Sequence, residues 1–246
     1  MTRTGADLLA QTLTLNGIDT CFANPGTTEM HLLAALGSAP GMRLQLCLFE
    51  GVATGAADGY ARMTGKPAAV LLHLGPGLAN GMANLHNARK ADTPVFTIVG
   101  EHATYHLAHD APLSADIAGM AATVSEAVRT PQSADAVLAD TLALLGAEGG
   151  VATVIMPNDV AWTETETAPA VAPATQRADF DRTMLSRAVA RLRKPGAALI
   201  LGAPLITRRM SALAAAIGAT TGCTVLAEAA VARMERGGDT PALARI

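Results

Sequence analysis

The chain has 246 residues, half of them apolar and only 3% aromatic, and its 18 Lys and Arg against 21 Asp and Glu leave a formal charge of -3. That length and apolar content can build one sizeable core or two modest ones, and the slightly acidic balance without basic runs excludes a nucleic-acid surface. The start, Met1 to Asp7, lacks an apolar core of signal-peptide length and no later stretch gives about eighteen uninterrupted apolar residues, so the expected location is the cytoplasm, with no membrane partner.

In chain order, helix patterns over residues 4–16, 28–38, 49–64, 77–91 and 133–148 alternate with strand patterns over 19–22, 42–48, 67–73, 94–99 and 151–155. This alternation predicts an α/β fold, a doubly wound parallel sheet with helices on both faces. From Trp162 to Thr175 the sequence turns to Thr, Glu, Ala and Pro without an apolar period, which reads as an extended connector. Domain boundaries follow: 1–161, a linker over 162–178, and a second α/β unit over 179–246. In that unit Met184, Leu185, Ala188, Val189 and Leu192 predict a helix, 197–201 a strand, 211–217 a helix and 223–226 a strand, which is incomplete for a doubly wound domain. Cys21, Cys47 and Cys223, odd in number, far apart and in apolar contexts, read as buried free thiols.

The most informative switch of pattern is at Glu50. Leu44, Leu46 and Leu48 alternate at strand period, whereas Val52, Ala53, Ala56, Ala57 and Tyr60 recur at helical spacing, so Glu50 stands at the carboxyl end of a strand. In open parallel sheets ligands bind at that edge, and Gly51, Gly55 and Gly59 let another surface come close to the helix. Three more segments share the edge. They are the turn Asn24-Pro25-Gly26, with Thr27 or Thr28 as helix cap; the loop His73 to Asn80 with Gly75-Pro76-Gly77; and the loop from Gly100 through His102 and His106 to Leu113. His102, His106 and His109 with Asp110 have spacing that a metal could use, but Pro112 argues for a loop, and no metal ligand is assigned.

Taken together, Asn24-Pro25-Gly26, the Glu50 segment ending Asp58-Gly59-Tyr60-Ala61-Arg62, Thr64-Gly65-Lys66-Pro67, Gly75-Pro76-Gly77 with Asn80, and Asn87-Ala88 before Thr93-Pro94 resemble the pyrimidine-binding domain of thiamine-diphosphate enzymes. The resemblance covers residues 1 to about 160 and is nearest to acetolactate synthase large subunits and benzoylformate decarboxylases; Arg177 to Ile246 is similar to the first half of their central domain. It implies thiamine diphosphate as cofactor, a 2-oxo acid as substrate, a homodimer or homotetramer, and Mg2+ held by ligands of a third domain outside this sequence. The chain alone is then expected to be inactive. FAD stays open, as does the choice between decarboxylation and carboligation.

Residue by residue, Glu50 matches the glutamate that activates the cofactor, with Leu48, Phe49 and Val52 as a dry surround. The plainer alternative is an acid complementing a helix N-terminus. Pro25, Gly26, Gly77 and Asn80 match cofactor-binding positions. His73 matches an active-site histidine of the decarboxylases, against a core histidine as the alternative, and Thr27 a substrate-binding serine, against a helix cap. His102 and Leu113 are candidates for contact with substrate. The competing class is a non-catalytic α/β module that binds a nucleotide or a partner chain; a dinucleotide site would need Gly-x-Gly-x-x-Gly after the first strand, and Asn24 to Glu29 lacks it.

Overall fold

The computed structural model describes residues 2–147, 149–173, 179–202 and 204–246. The chain divides into two compact units, 1–173 and 174–246. In the first unit the elements are β1 (Arg3–Thr4), α1 (Gly5–Leu15), β2 (Thr20–Asn24), α2 (Met30–Ser38), β3 (Arg43–Leu46), α3 (Glu50–Thr64), β4 (Ala68–Leu72), α4 (Leu74–Lys90), β5 (Val95–Glu101), α5 (Ile117–Val124), β6 (Ala127–Arg129), α6 (Ala136–Leu145), β7 (Val151–Pro157), α7 (Asn158–Trp162) and β8 (Glu164–Thr165). Six strands form one parallel sheet in the order β3-β2-β4-β5-β7-β6. The doubly wound α/β class expected from the alternation is therefore what forms.

Strand side chains alternate between two cores, as a sheet covered on both faces requires. In β4, Ala69 and Leu71 join α1, α2, α6 and α7 in one core, whereas Ala68, Val70 and Leu72 join α3, α4 and α5 in the other. β5 and β7 divide in the same way, Phe96 and Ile98 against Val95 and Val99, and Val154 and Met156 against Val151 and Ile155. Helices α3 and α4 approach closely because their facing residues are small: a Cβ on Gly81 would stand 2.8 Å from the Thr54 methyl. Tyr60 is structural, since its hydroxyl donates to Asp19 Oδ1 at 3.0 Å and its ring meets Phe22 edge-on.

Several boundaries differ from the sequence expectation. The loop expected at Gly75-Pro76-Gly77 is the first turn of α4, where a proline is tolerated because the first amides of a helix have no partner within it. The connector expected over 162–178 belongs, as far as Pro173, to the first unit. Trp162 ends α7, β8 pairs antiparallel with β1, and Asn16 exchanges hydrogen bonds with Ala170 and Ala172. Backbone and side-chain hydrogen bonds, rather than an apolar face, fasten this segment, so periodicity does not reveal it. Residues 174–178 of that connector lie outside the described residues. The pattern also passed over α5 and β6, which at eight and three residues are too short for a clear period.

The second unit contains α8 (Arg182–Leu192), β9 (Ala198–Leu201), β10 (Leu205–Ile206), α9 (Arg208–Thr221), β11 (Thr224–Ala227), β12 (Arg233–Met234) and β13 (Ala244–Arg245). Its parallel sheet runs β13-β11-β9, with β10 and β12 as a separate pair around Ile206, Ala227, Val231 and Leu243. Among the described residues no helix is long and apolar enough to cross a membrane.

Candidate active site

The strand order places a switch point between β2 and β4: the chain leaves β2 toward β3 on one side and resumes at β4 on the other. Loops after two such strands diverge and leave a crevice at their carboxyl ends, where α/β sheets bind ligands. The register pairs Asn24 with Leu72, so the next residues of both strands, Pro25-Gly26 and His73, meet in that crevice. Gly26 has to be glycine here, since a Cβ on it would lie 2.6 Å from His73 Cγ.

His73 is a quarter exposed and caps α4. The next residue, Leu74, is buried and held at φ 52°, a left-handed conformation costly for a residue with a branched side chain. Such local strain persists only when its surroundings fix it, and it clusters at functional sites. The surroundings include Glu29, which follows the Gly26 turn and is wholly buried. Its Oε2 accepts the Gly26 N–H at 2.7 Å and lies 2.7 Å from His73 Nδ1, and its Oε1 accepts the Thr28 hydroxyl. The helix-cap role expected of Thr27 or Thr28 is therefore not what forms. The Thr28 hydroxyl faces the Glu29 carboxylate and lies 3.3 Å from His73 Nδ1, while Thr27 is exposed at the rim.

Glu50 is the first residue of α3, as the change of period predicts. Its Oε2 accepts from Asn80 Nδ2 at 3.1 Å, whereas Oε1 has no hydrogen-bond partner among the described residues. Gly77 joins the two halves: a Cβ there would lie 3.3 Å from Glu50 Oε1 and 3.5 Å from His73 Cβ. Asn80 thus acts on Glu50, and Gly77 is the bare surface between the acid and the histidine. The dry surround expected from Leu48, Phe49 and Val52 is not built: they are 91%, 49% and 57% exposed. Phe49 lies back over Gly51 instead, where a Cβ would stand 3.1 Å from its ring Cδ1.

The third loop begins beyond β5. His102 Nε2 is 3.1 Å from the Pro112 carbonyl, and the following exposed Leu113 has φ 72°. Thr104 ties the loop to α7 by donating its amide and hydroxyl to Asp159 at 3.0 and 2.5 Å. A cleft of about 660 Å3 runs under this loop, lined by Glu101, Ser114, Asp116, Thr130 and Gln132 among others, and none of Glu50, His73, Gly26 and Gly77 lines it. Glu101 at its edge is held above the ordinary carboxylate range, chiefly by burial and further by nearby Glu29, against the opposing His102 N–H bond. Among the described residues no three His, Cys, Asp or Glu side chains converge as metal ligands. The structure therefore unites Glu50, His73, Gly26, Gly77, Asn80 and Pro25 around the crevice and leaves His102 and Leu113 on the separate third loop. Glu29 went unrecognised, although Gly100 inside an apolar strand marks a close approach of that kind.

Residues 3–121 match the family model described as thiamine pyrophosphate enzyme, N-terminal TPP binding domain. The chain is 49% identical over 245 residues to a Mycobacterium tuberculosis protein named "Putative acetolactate synthase large subunit IlvX", covering 98% of this chain and 47% of that one. It is 34% identical over 116 residues to the acetolactate synthase large subunit of Buchnera aphidicola, covering 47% of this chain and 20% of that one. The chain thus spans half or less of the length of both relatives. A solved structure of the thiamine diphosphate-dependent 4-hydroxybenzoylformate decarboxylase of Rhodococcus jostii RHA1 superposes with a TM-score of 0.75 at 21% identity, covering 92% of this chain and 44% of that one. That last likeness concerns the fold.

Proposed function

We propose, on the premise that this chain belongs to the thiamine pyrophosphate enzymes through its N-terminal TPP-binding domain at residues 3–121, that it supplies the pyrimidine-facing half of the cofactor site in an acetolactate synthase-like enzyme acting on a 2-oxo acid. One observation carries the reading: Glu50, with a free Oε1, and His73 meet across Gly77 at the switch point of the sheet. The residues fit an aminopyrimidine, because Oε1 is a free acceptor beside a glycine floor and Gly26 and Gly77 carry no side chain that would fill the crevice.

When bound, thiamine diphosphate would supply a carbon nucleophile for the 2-oxo carbonyl and a sink for the electron pair left behind when carbon dioxide departs. Glu50 takes and returns a proton at Oε1, with Asn80 holding Oε2 so that the carboxyl keeps its orientation. His73 gives or takes a proton on the substrate side, and Pro25 and Gly26 bring backbone close to the ring. Thr27 at the rim of the crevice, and His102 and Leu113 on the third loop, are the candidates for contact with a substrate or second carbonyl. Mg2+ would accompany the diphosphate; among the described residues no three His, Cys, Asp or Glu side chains converge to hold it. Leu46, Leu48, Phe49 and Val52, exposed beside Glu50, fit coverage by a second copy of the chain, which would dry the acid and make the enzyme a homodimer or homotetramer.

The test is Glu50→Gln in the active enzyme. The cofactor stays bound, and exchange of its thiazolium proton, followed by NMR, slows by roughly 10²- to 10⁴-fold, the range of a general acid–base contribution. Exchange and turnover within a few-fold of the parent would remove Glu50 from the mechanism. His73→Ala separates the two roles, lowering turnover while exchange stays near the parent rate.

A further inference from the structure

We infer that Glu29 is the positioning residue for His73: it fixes the imidazole with its proton on Nδ1 and so confines proton transfer to Nε2. The inference rests on the reading of His73 as the proton-transfer group but is tested independently of it. Three observations carry it. First, Glu29 accepts at both oxygens, the Gly26 amide on Oε2 at 2.7 Å and the Thr28 hydroxyl on Oε1, and such a carboxylate has no proton to give the ring nitrogen 2.7 Å from Oε2. The proton of the bond to the ring therefore resides on Nδ1. Second, the carboxylate cannot swing aside. It is wholly buried, Oε1 is engaged by Thr28, and the backbone of Gly100 closes its far side, where a Cβ would stand 2.5 Å from Glu29 Cδ. Third, Nε2 has no hydrogen-bond partner among the described residues and the side chain is a quarter exposed, so in the neutral ring Nε2 is the nitrogen whose lone pair is left for a group from outside.

The tautomer of a histidine is set by the bond its other nitrogen makes, and a buried carboxylate behind an acid–base histidine orients the ring as well as choosing the tautomer. Here one proton stays on Nδ1 throughout, and only the one at Nε2 moves. Glu29 touches no reacting atom in this scheme.

The experiment is nitrogen-15 NMR of the full 246-residue chain, with the His73 ring signals assigned by their loss in His73→Ala. The expected parent spectrum shows Nδ1 protonated and Nε2 unprotonated at a pH where the ring is neutral. Glu29→Gln, whose amide oxygen can replace Oε2, keeps that pattern. Glu29→Met, of similar length but without an acceptor, loses it and populates the Nε2-protonated form. An Nε2-protonated parent overturns the inference by itself, even if a variant does not fold. It is equally overturned by a folded Glu29→Met that retains the Nδ1-protonated pattern, or by a folded Glu29→Gln that loses it. If His73→Ala leaves turnover unchanged in the active enzyme, the functional reading of His73 fails and the tautomer result stands.

Discussion

Gly100→Ala offers a sharp measure of how firmly the buried acid is held. A glycine-to-alanine change at a compatible strand position is worth roughly 0.5–1 kcal/mol in favour of alanine, so backbone preference alone predicts stabilisation. The structure predicts the reverse, because the added methyl group would fall within the Glu29 carboxyl, 2.5 Å from Cδ and 2.8 Å from Cγ. Overpacking of this kind costs about 1–3 kcal/mol. If Glu29 moves to escape, it gives up bonds from Gly26, Thr28 and His73, each worth about 1.5–3 kcal/mol where the acceptor is charged. A net loss near 3 kcal/mol, at a urea dependence of about 2 kcal/mol per molar, lowers the unfolding midpoint by roughly 1–2 M. The chain has one tryptophan, Trp162, which packs edge-on to His31 within the first unit, so its fluorescence follows that unit alone. Gly59→Ala is the control: a Cβ there meets nothing within 4 Å, and a helix-interior glycine gains about 0.5–1 kcal/mol on replacement. A Gly100→Ala midpoint equal to or above the parent would refute the close packing argued for Glu29.

Glu101 should give the first unit a pH-dependent stability. Because its folded pKa is raised by burial, its contribution is complete below the ordinary carboxylate range, near pH 4, and is lost as pH rises through the folded value. Glu101→Gln should therefore lose less stability than the parent between mildly acidic and neutral pH, read from urea midpoints at the two values. Equal slopes would contradict the assignment. The three thiols should resist Ellman's reagent in the folded chain and react at once in urea, since Cys21, Cys47 and Cys223 are all buried and burial pushes the Cys21 thiol far up. Rapid reaction of Cys21 in the native chain would show that β2 opens locally.

The sequence made the parallel sheet legible because β4, β5 and β7 are apolar runs of five to seven residues between helical periods, and few other structures bury both faces of a strand. Glu50 was legible for the same reason: it stands where period two becomes period 3.6. What escaped depends on contacts distant in sequence. Glu29 in the run Gly-Thr-Thr-Glu reads as an acid at a helix start, and only the return of β5 past Gly100 turns it into a buried group. The docking of 163–173 rests on hydrogen bonds to Asn16 and Asp135, which leave no mark on hydropathy. Leu48, Phe49 and Val52 have the composition of a core, yet sequence cannot say whether the atoms that cover an apolar group belong to the same chain.

The bond between Glu29 and His73 has a consequence for how this site can change. Removing His73 alone leaves a wholly buried carboxylate with one donor fewer, and removing Glu29 alone leaves the ring as well as the Gly26 amide without an acceptor, so the loss of the bond between the two is counted in each single step and only once in the double step. The two positions form a thermodynamic unit with a coupling energy measurable by a double-mutant cycle. A lineage or a designer exchanging the histidine for another group would recover that shared part by replacing both residues together, with a new acceptor for the Gly26 amide, and Gly100, freed from the carboxylate, would then become open to larger side chains.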